Sequence, residues 1–131
     1  MEMTVTTATT DGLEVSIRSR FVPEHSNRAK REFVFSYTVR IRNHGELAVQ
    51  LVARHWIIRH ASGEVEEVQG PGVVGEQPVL DPGETYTYSS WCQLESGLGT
   101  MKGSYLMLRS DGTRFDATIP EFTLVDEDDL H

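Results

Sequence analysis

The stretch FVFSYTVRIR, residues 33–42, decides the fold of this chain. Apolar side chains occupy every second position and polar side chains lie between them: the first set is Phe33, Phe35, Tyr37, Val39 and Ile41, the second Ser36, Thr38, Arg40 and Arg42. A repeat of two residues is typical of a β-strand with one dry face and one wet face. The stretch therefore predicts a half-buried strand.

The same repeat continues in both directions along the chain. It is found in LEVSIRSRF (13–21), ETYTYSSWC (84–92) and RFDATI (114–119). Between Leu51 and Trp56 the apolar positions change from odd to even numbers, which predicts a bulge near Arg54 and His55. Ser62-Gly63 and Asp111-Gly112 are tight-turn signals. No segment shows convincing helical spacing, so every regular element is expected to be a strand.

Length and strand spacing together predict one all-β domain. A chain of 131 residues is long enough to bury its own core. We expect an antiparallel β-sandwich of about seven strands, of the fibronectin type III or immunoglobulin kind. Residues 1–125 would form this domain, and residues 126–131 (DEDDLH) would form a frayed acidic tail.

Composition narrows the location and the partners. The single cysteine, Cys92, cannot form an internal disulfide, and neither a signal peptide nor a membrane-spanning run is recognisable, so we expect a cytoplasmic protein. A net charge of -8 argues against nucleic acid as a partner. A dimer through an exposed edge strand is compatible with the sequence, which does not decide the oligomeric state.

Positive charge is concentrated in one segment. Residues 18–42 hold seven basic and two acidic residues, a local charge of +5 in a chain that is otherwise acidic. If the two strands here pair, four arginines gather on one wet face: Arg18, Arg20, Arg40 and Arg42. Such a patch would bind an acidic protein partner or an anionic small molecule. The alternative is a solvated face balanced by Glu14 and nearby acids.

Gly70, Gly72 and Gly75 spell G-x-G-x-x-G, the lettering of a dinucleotide-binding turn. That turn needs a helix after it, and Pro78 and Pro82 block one here. Two interpretations remain. The glycines either let a long loop pass close to the sandwich, or they form a backbone N–H nest for an anion.

The sequence contains no pattern typical of a catalytic site or of a metal site. There is no G-x-S-x-G, H-E-x-x-H or Walker sequence, and Cys92 has the parity of a core residue. The histidines lack ligand spacing, and the acidic tail would attract Mg²⁺ or Co²⁺ only loosely. We therefore predict no catalytic residues, no metal ligands and no cofactor.

Four stretches resemble the ApaG family, also called CorD. They are RHWII (54–58), GVVGEQPVLDPGETYTYSSWCQL (72–94), GTMKGSY (99–105) and IPEFTL (119–124). The resemblance implies a fibronectin type III-like fold and a bacterial single-domain protein. It also implies an interaction module, since related domains accompany eukaryotic F-box and polymerase-interacting proteins. The name CorD implies a link to cobalt resistance and magnesium efflux, and no enzymatic activity is carried over.

Two functions remain after these observations. The first is a non-enzymatic binding module, acting through an exposed sheet face or through the loops at one end. The second is a sensor that holds a pyrophosphate-containing ligand or a divalent metal at the glycine-rich loop. A ligand that bound would raise the melting temperature only in the second case.

Overall fold

A computed structural model describes residues 5–130, which form nine strands and three short 3-10 turns. The strands are β1 (Thr6–Thr10), β2 (Leu13–Phe21), β3 (Phe33–Asn43), β4 (Val49–His60), β5 (Val65–Pro71), β6 (Val79–Leu80), β7 (Thr85–Leu94), β8 (Leu98–Arg109) and β9 (Arg114–Val125). The turns are Pro23–His25, Arg28–Lys30 and Glu127–Leu130.

The strands form two antiparallel sheets, which confirms the predicted β-sandwich. One sheet has the order β1-β2-β3-β7, and the other has the order β5-β4-β8-β9 with β6 beside β4. The number of strands is nine rather than about seven. The two that sequence reasoning missed are β1, whose TTATT lacks an apolar alternation, and β6, which is two residues long.

The alternating apolar residues meet between the sheets. In β3 every odd-numbered residue is buried, and in β2 the same holds from Leu13 to Ile17. Tyr37 of one sheet packs edge-on against Trp56 of the other, with 5.4 Å between ring centroids. Burying apolar area at roughly 25 cal/mol per Å² supplies the main driving force for this arrangement.

The irregular positions of the sheets agree only in part with the sequence. The bulge in β4 lies between Leu51 and Ala53, so the expected position near Arg54 and His55 is wrong. After this bulge the even-numbered residues Arg54 and Trp56 face inward. Pro120 lies at a bulge of the edge strand β9, where a missing N–H does no harm.

The boundary expected at residue 125 also needs a correction. Asp126 is only 2% exposed, and its carboxylate accepts two hydrogen bonds from the Arg28 guanidinium at 2.7 and 3.0 Å. A buried carboxylate is held in place by such charge-assisted bonds. Asp126 therefore belongs to the folded domain. Of the predicted tail, His131 lies outside the described residues.

The sandwich has two unlike flanks. On the closed flank, β9 of one sheet packs along β1 and β2 of the other, and the Thr118 amide donates to the Thr10 hydroxyl. On the open flank, the edge strands β5 and β7 face each other across a cleft. The candidate sites lie on and beside the open flank.

Candidate binding site

The arginines of β2 and β3 lie on the outer face of their sheet because the apolar alternation turns the odd-numbered positions inward. β2 and β3 pair as predicted, with Arg18 beside Thr38 and Arg40 beside Ser16. Arg18 and Arg40 are therefore diagonal neighbours, a relation that puts β-carbons roughly 7 Å apart. Arg42 follows two residues after Arg40 on the same face. We call Arg18, Arg40 and Arg42 the arginine face.

Arg20 does not join the arginine face. It pairs with Ser36, at the far end of β2, and its guanidinium forms an ion pair with Glu24 at 3.2 Å. The sequence thus groups four arginines correctly on one side of the sheet, but the structure brings only three of them together.

No acidic partner balances the arginine face within residues 5–130. Arg18, Arg40 and Arg42 are exposed and form no hydrogen bond or ion pair with another described residue. Glu14, which lies directly across from Arg42, instead bonds the His44 imidazole at 2.6 Å. The positive charges are therefore available to a ligand.

Hydroxyl groups surround these guanidinium groups. A shallow hollow of about 580 Å³ on this face is lined by the arginines together with Ser16, Thr38, Thr85 and Thr87, and by one carboxylate, that of Glu14, which is bonded to His44. Guanidinium and hydroxyl donors are the groups that recognise carboxylate and phosphate oxygens. The chemistry of the hollow therefore fits an anion.

The glycine-rich loop has internal uses for its backbone. The Gly72 amide donates to Val52 O at 2.9 Å, and the Val73 amide donates to Glu76 O at 2.8 Å. Gly72 has a φ of 58°, and a β-carbon there would stand 2.0 Å from Glu76 O. The turn therefore requires glycine at position 72 for steric reasons.

The other two glycines of the motif play unequal parts. Gly70 lies in β5 against the Arg54 guanidinium, where a β-carbon would approach Nη2 to 3.0 Å. That guanidinium also donates from Nη1 to Pro71 O and Gly72 O at 2.9 and 3.0 Å. Gly75 has a φ of 83° with open space around it. The structure thus gives two of the three glycines a packing role.

The open flank contains a cleft of about 360 Å³, bounded by β5 on one side and β7 on the other. Its apolar surfaces come from Trp56, Ile58, Val68 and Met101, and its polar groups come from Arg54, Glu66 and Ser90. At one end the glycine-rich loop reaches β7, where the Tyr86 hydroxyl donates to Glu76 at 3.3 Å. The rest of the cleft opens to solvent.

Buried hydroxyls and a thiol lie inside this cleft. The Tyr88 and Tyr105 hydroxyls bond to each other, and burial raises the pKa of both side chains. Burial, with the charge of Glu66 adding to it, raises the pKa of the Cys92 thiol to about 11. At neutral pH the Cys92 thiol is therefore protonated and is a poor nucleophile.

Two histidines of β4 lie beside carboxylates of β5. His60 bonds Glu66 at 2.5 Å, and His55 lies 3.8 Å from Glu67. Across residues 5–130 no group of three or more His, Cys, Asp and Glu side chains could hold a metal ion. No helix in the same range is long and apolar enough to cross a membrane.

Sequence reasoning missed the cleft because its residues come from five separated strands, β3, β4, β5, β7 and β8. Arg54 resembles a wet-face residue until the bulge at residue 52 turns it inward. One signal was available: TYTYSSWCQL of β7 contains no charged residue, glycine or proline, which is unusual for an edge strand.

Comparison with known proteins agrees with this architecture. The profile of the ApaG domain matches residues 23–109. Protein ApaG of Anaeromyxobacter dehalogenans is 56% identical over 121 residues, covering 92% of this chain and 95% of the relative. Protein ApaG of Ralstonia nicotianae is 48% identical over 119 residues, covering 91% and 96%. None of these names denotes a reaction.

Solved structures give the same result. An ApaA protein from Bordetella pertussis superposes with a TM-score of 0.84 at 47% identity, covering 86% of this chain and 92% of that one. The C-terminal domain of Wzt reaches a TM-score of 0.54 at 11% identity, covering 92% and 77%. The second likeness concerns the fold alone.

Proposed function

This chain belongs to the ApaG domain family, and from that premise we propose that it is a non-enzymatic binding module for acidic ligands. The ligand would be an acidic protein segment or an anionic small molecule, held at the arginine face. A cytoplasmic location fits this proposal, since the single cysteine is free.

One observation carries the proposal. Three exposed guanidinium groups lie at neighbouring positions on one sheet, and none of them forms an ion pair with a described carboxylate, because the nearest one, Glu14, is bonded to His44. The rest of the chain is strongly acidic, so this face is a local positive field that attracts anions and steers them. An arginine pair with a carboxylate or phosphate is also directional, because two parallel N–H bonds fix the angle.

A charge-reversal experiment tests the arginine face. The Arg40→Glu/Arg42→Glu variant should bind poly-L-glutamate and inorganic tripolyphosphate at least about tenfold more weakly than the unmodified protein. Isothermal titration calorimetry at low and at moderate salt measures this, and raising the salt should weaken wild-type binding as well.

The matched control reverses two exposed arginines elsewhere. Arg59→Glu/Arg114→Glu changes the net charge equally but acts on strands β4 and β9 of the other sheet. It should bind both probes within about threefold of wild type apart from the general charge effect. Equal losses in the two double variants would contradict a localised site, and binding unchanged by the Arg40/Arg42 reversal would end the proposal.

The alternative is a sensor that holds pyrophosphate or a divalent metal at the loop of Gly70, Gly72 and Gly75. It is the weaker proposal, because the Gly72 and Val73 amides already have acceptors in the fold. If the protein is a binding module instead, a role in Co²⁺ or Mg²⁺ homeostasis would come from the partner that it binds. A rise in melting temperature with either ion would favour the alternative.

A further inference from the structure

The outward edge of β7 carries backbone groups without partners among the described residues. The backbone N–H of Asn43 donates to the backbone carbonyl of Glu84 at 3.0 Å, and this residue pair continues the β3–β7 register. Hydrogen-bonded and non-bonded pairs alternate in an antiparallel ladder. The even-numbered residues of β7 therefore bond to β3, and the odd-numbered ones direct N–H and C=O away from the sheet: Thr85, Thr87, Ser89, Trp91 and Gln93.

An independent bond confirms this assignment. The Val22 amide donates to Val34 O at 2.8 Å, which continues the β2–β3 register. The even-numbered residues of β3 thus bond to β2, and its odd-numbered residues remain for β7. β7 is the last strand of its sheet, so its odd-numbered backbone groups face solvent.

The other sheet edges are protected against pairing. β1 and β9 lie against each other on the closed flank, as the bond from Thr118 to Thr10 shows. β5 carries Glu66 and Glu67 and ends at Gly70-Pro71. Charges and prolines are the usual means of keeping a second strand away. β7, with ten uncharged residues, has neither.

A strand added to β7 would meet two different surfaces. Residues of the added strand directly opposite Thr85 and Thr87 would lie on the outer face of the sheet. Arg42 and Arg40 are the partners of these two threonines on β3, one strand further in. Two strand spacings, roughly 10 Å, separate such a residue from Arg40 along the sheet, a distance that glutamate and arginine side chains span together. The intervening residues would point into the cleft beside Tyr88.

We propose that the β7 edge binds an extended acidic peptide segment as an additional antiparallel strand of the β1-β2-β3-β7 sheet. Its acidic side chains would lie on the outer face next to Arg40 and Arg42. Its alternate apolar side chains would enter the cleft against Val68 and Trp56. Main-chain hydrogen bonds would supply affinity and the two surfaces would supply specificity. This inference rests on the proposed function, since it uses the same arginines.

A second copy of this chain fits the edge less well. A neighbouring β7 would present threonine, serine, tryptophan and glutamine on the outer face, with no carboxylate for the arginines. An acidic segment supplies that missing charge. Homodimerisation therefore counts against the inference, and sedimentation velocity of the free protein should show a monomer at micromolar concentration.

The experiment uses a capped peptide of alternating glutamate and valine, as long as β7, and two N-methylated forms of it. If the peptide pairs antiparallel with β7, its residues opposite Ser89 and Trp91 form two backbone hydrogen bonds with them, one through N–H and one through C=O. The peptide places its glutamates at these positions. Methylating the glutamate amides should weaken binding about tenfold or more, because each methyl group removes a hydrogen bond to β7. Methylating the valine amides should leave binding within about threefold, because those amides face solvent. Calorimetry and tryptophan fluorescence measure both.

The outcomes separate this inference from the proposed function. If a peptide of the same composition in scrambled order binds as well as the alternating one, and Arg40→Glu/Arg42→Glu abolishes both, the arginine face stands and strand addition is wrong. Strand addition is also wrong if the alternating peptide fails to bind, if both methylated forms bind equally, or if the loss follows the valine amides. A dimer through β7 that the peptide does not dissociate would overturn it as well.

Discussion

The closed and open flanks of the sandwich show how one fold divides stability from binding. On the closed flank, Ser19 Oγ donates to Thr123 O and the Thr118 amide donates to the Thr10 hydroxyl, so the two sheets are joined directly. On the open flank, the Tyr86 hydroxyl bonds Glu76 of the glycine-rich loop at one end of the cleft, and the buried Tyr88 and Tyr105 hydroxyls join the two sheets in the core. The edge strands β5 and β7 themselves are separated by the cleft.

The difference follows from what the edge strands carry. β9 has a neighbouring strand of the other sheet to cover it, whereas β7 and β5 leave a cleft between them. Backbone groups that a sheet leaves unpaired must find water or a partner. The open flank is therefore the side on which we propose that another chain binds, whereas on the closed flank the two sheets cover each other's edges.

The largest expected effect concerns the glycine-rich loop that frames the cleft. Gly72→Ala should lower the free energy of unfolding by about 3 kcal/mol, because alanine must adopt a positive φ and displace the Glu76 carbonyl. Chemical denaturation measures the change. A large loss would show that the loop is part of the framework of the open flank.

Gly75→Ala is the matched control for this experiment. It has a positive φ but nothing within 4 Å of the added carbon, so about 1 kcal/mol is expected. Equal losses at the two positions would contradict the steric account of Gly72. If both variants kept their stability and only lost affinity for tripolyphosphate, the anion-nest interpretation of the loop would gain support.

A smaller effect is expected on the closed flank. Asp126→Ala removes a carboxylate that is 3% exposed and accepts two bonds from Arg28, so about 2 kcal/mol of stability should be lost. Thermal and chemical unfolding measure it. Arg28 is itself 46% exposed and can return to water, which keeps the loss from being larger.

Asp128 provides the comparison for Asp126. It is 86% exposed and lies 3.8 Å from the same guanidinium, so Asp128→Ala should change stability by at most about 0.5 kcal/mol. An Asp126→Ala variant as stable as the unmodified protein would show that the bonds between Arg28 and Asp126 do not stabilise the closed flank. It would also weaken the contrast between the flanks.

Period-two patterns predicted most of the fold because burial in a sandwich depends on parity. The outward position of Arg18 and Arg40 followed from the same rule, and so did their gathering once β2 and β3 paired. The link from β6 to β7 through Asp81-Pro82-Gly83 changes sheets, and its proline and glycine are typical turn residues. These features are local, and each depends on a short run of residues.

The features that could not be predicted depend on contacts between distant residues. The bulge at residue 52 adds one residue to β4. The change of the apolar positions from odd to even numbers predicts that a bulge exists but does not determine at which residue it lies. The ion pair of Arg28 with Asp126 joins residues 98 positions apart. The cleft needs five strands in their final order, so no single stretch of sequence reveals Arg54 or Trp91 as its lining.

Amide hydrogen exchange along β7 tests the central claim most directly. In the free protein, the Ser89 and Trp91 amides should exchange about a hundredfold faster than those of Tyr88 and Ser90, which bond to β3. The Thr118 amide on the closed flank should be protected, since it donates to Thr10. Slow exchange at Ser89 and Trp91, equal to that of Ser90, would show that the edge is already covered and would contradict the account.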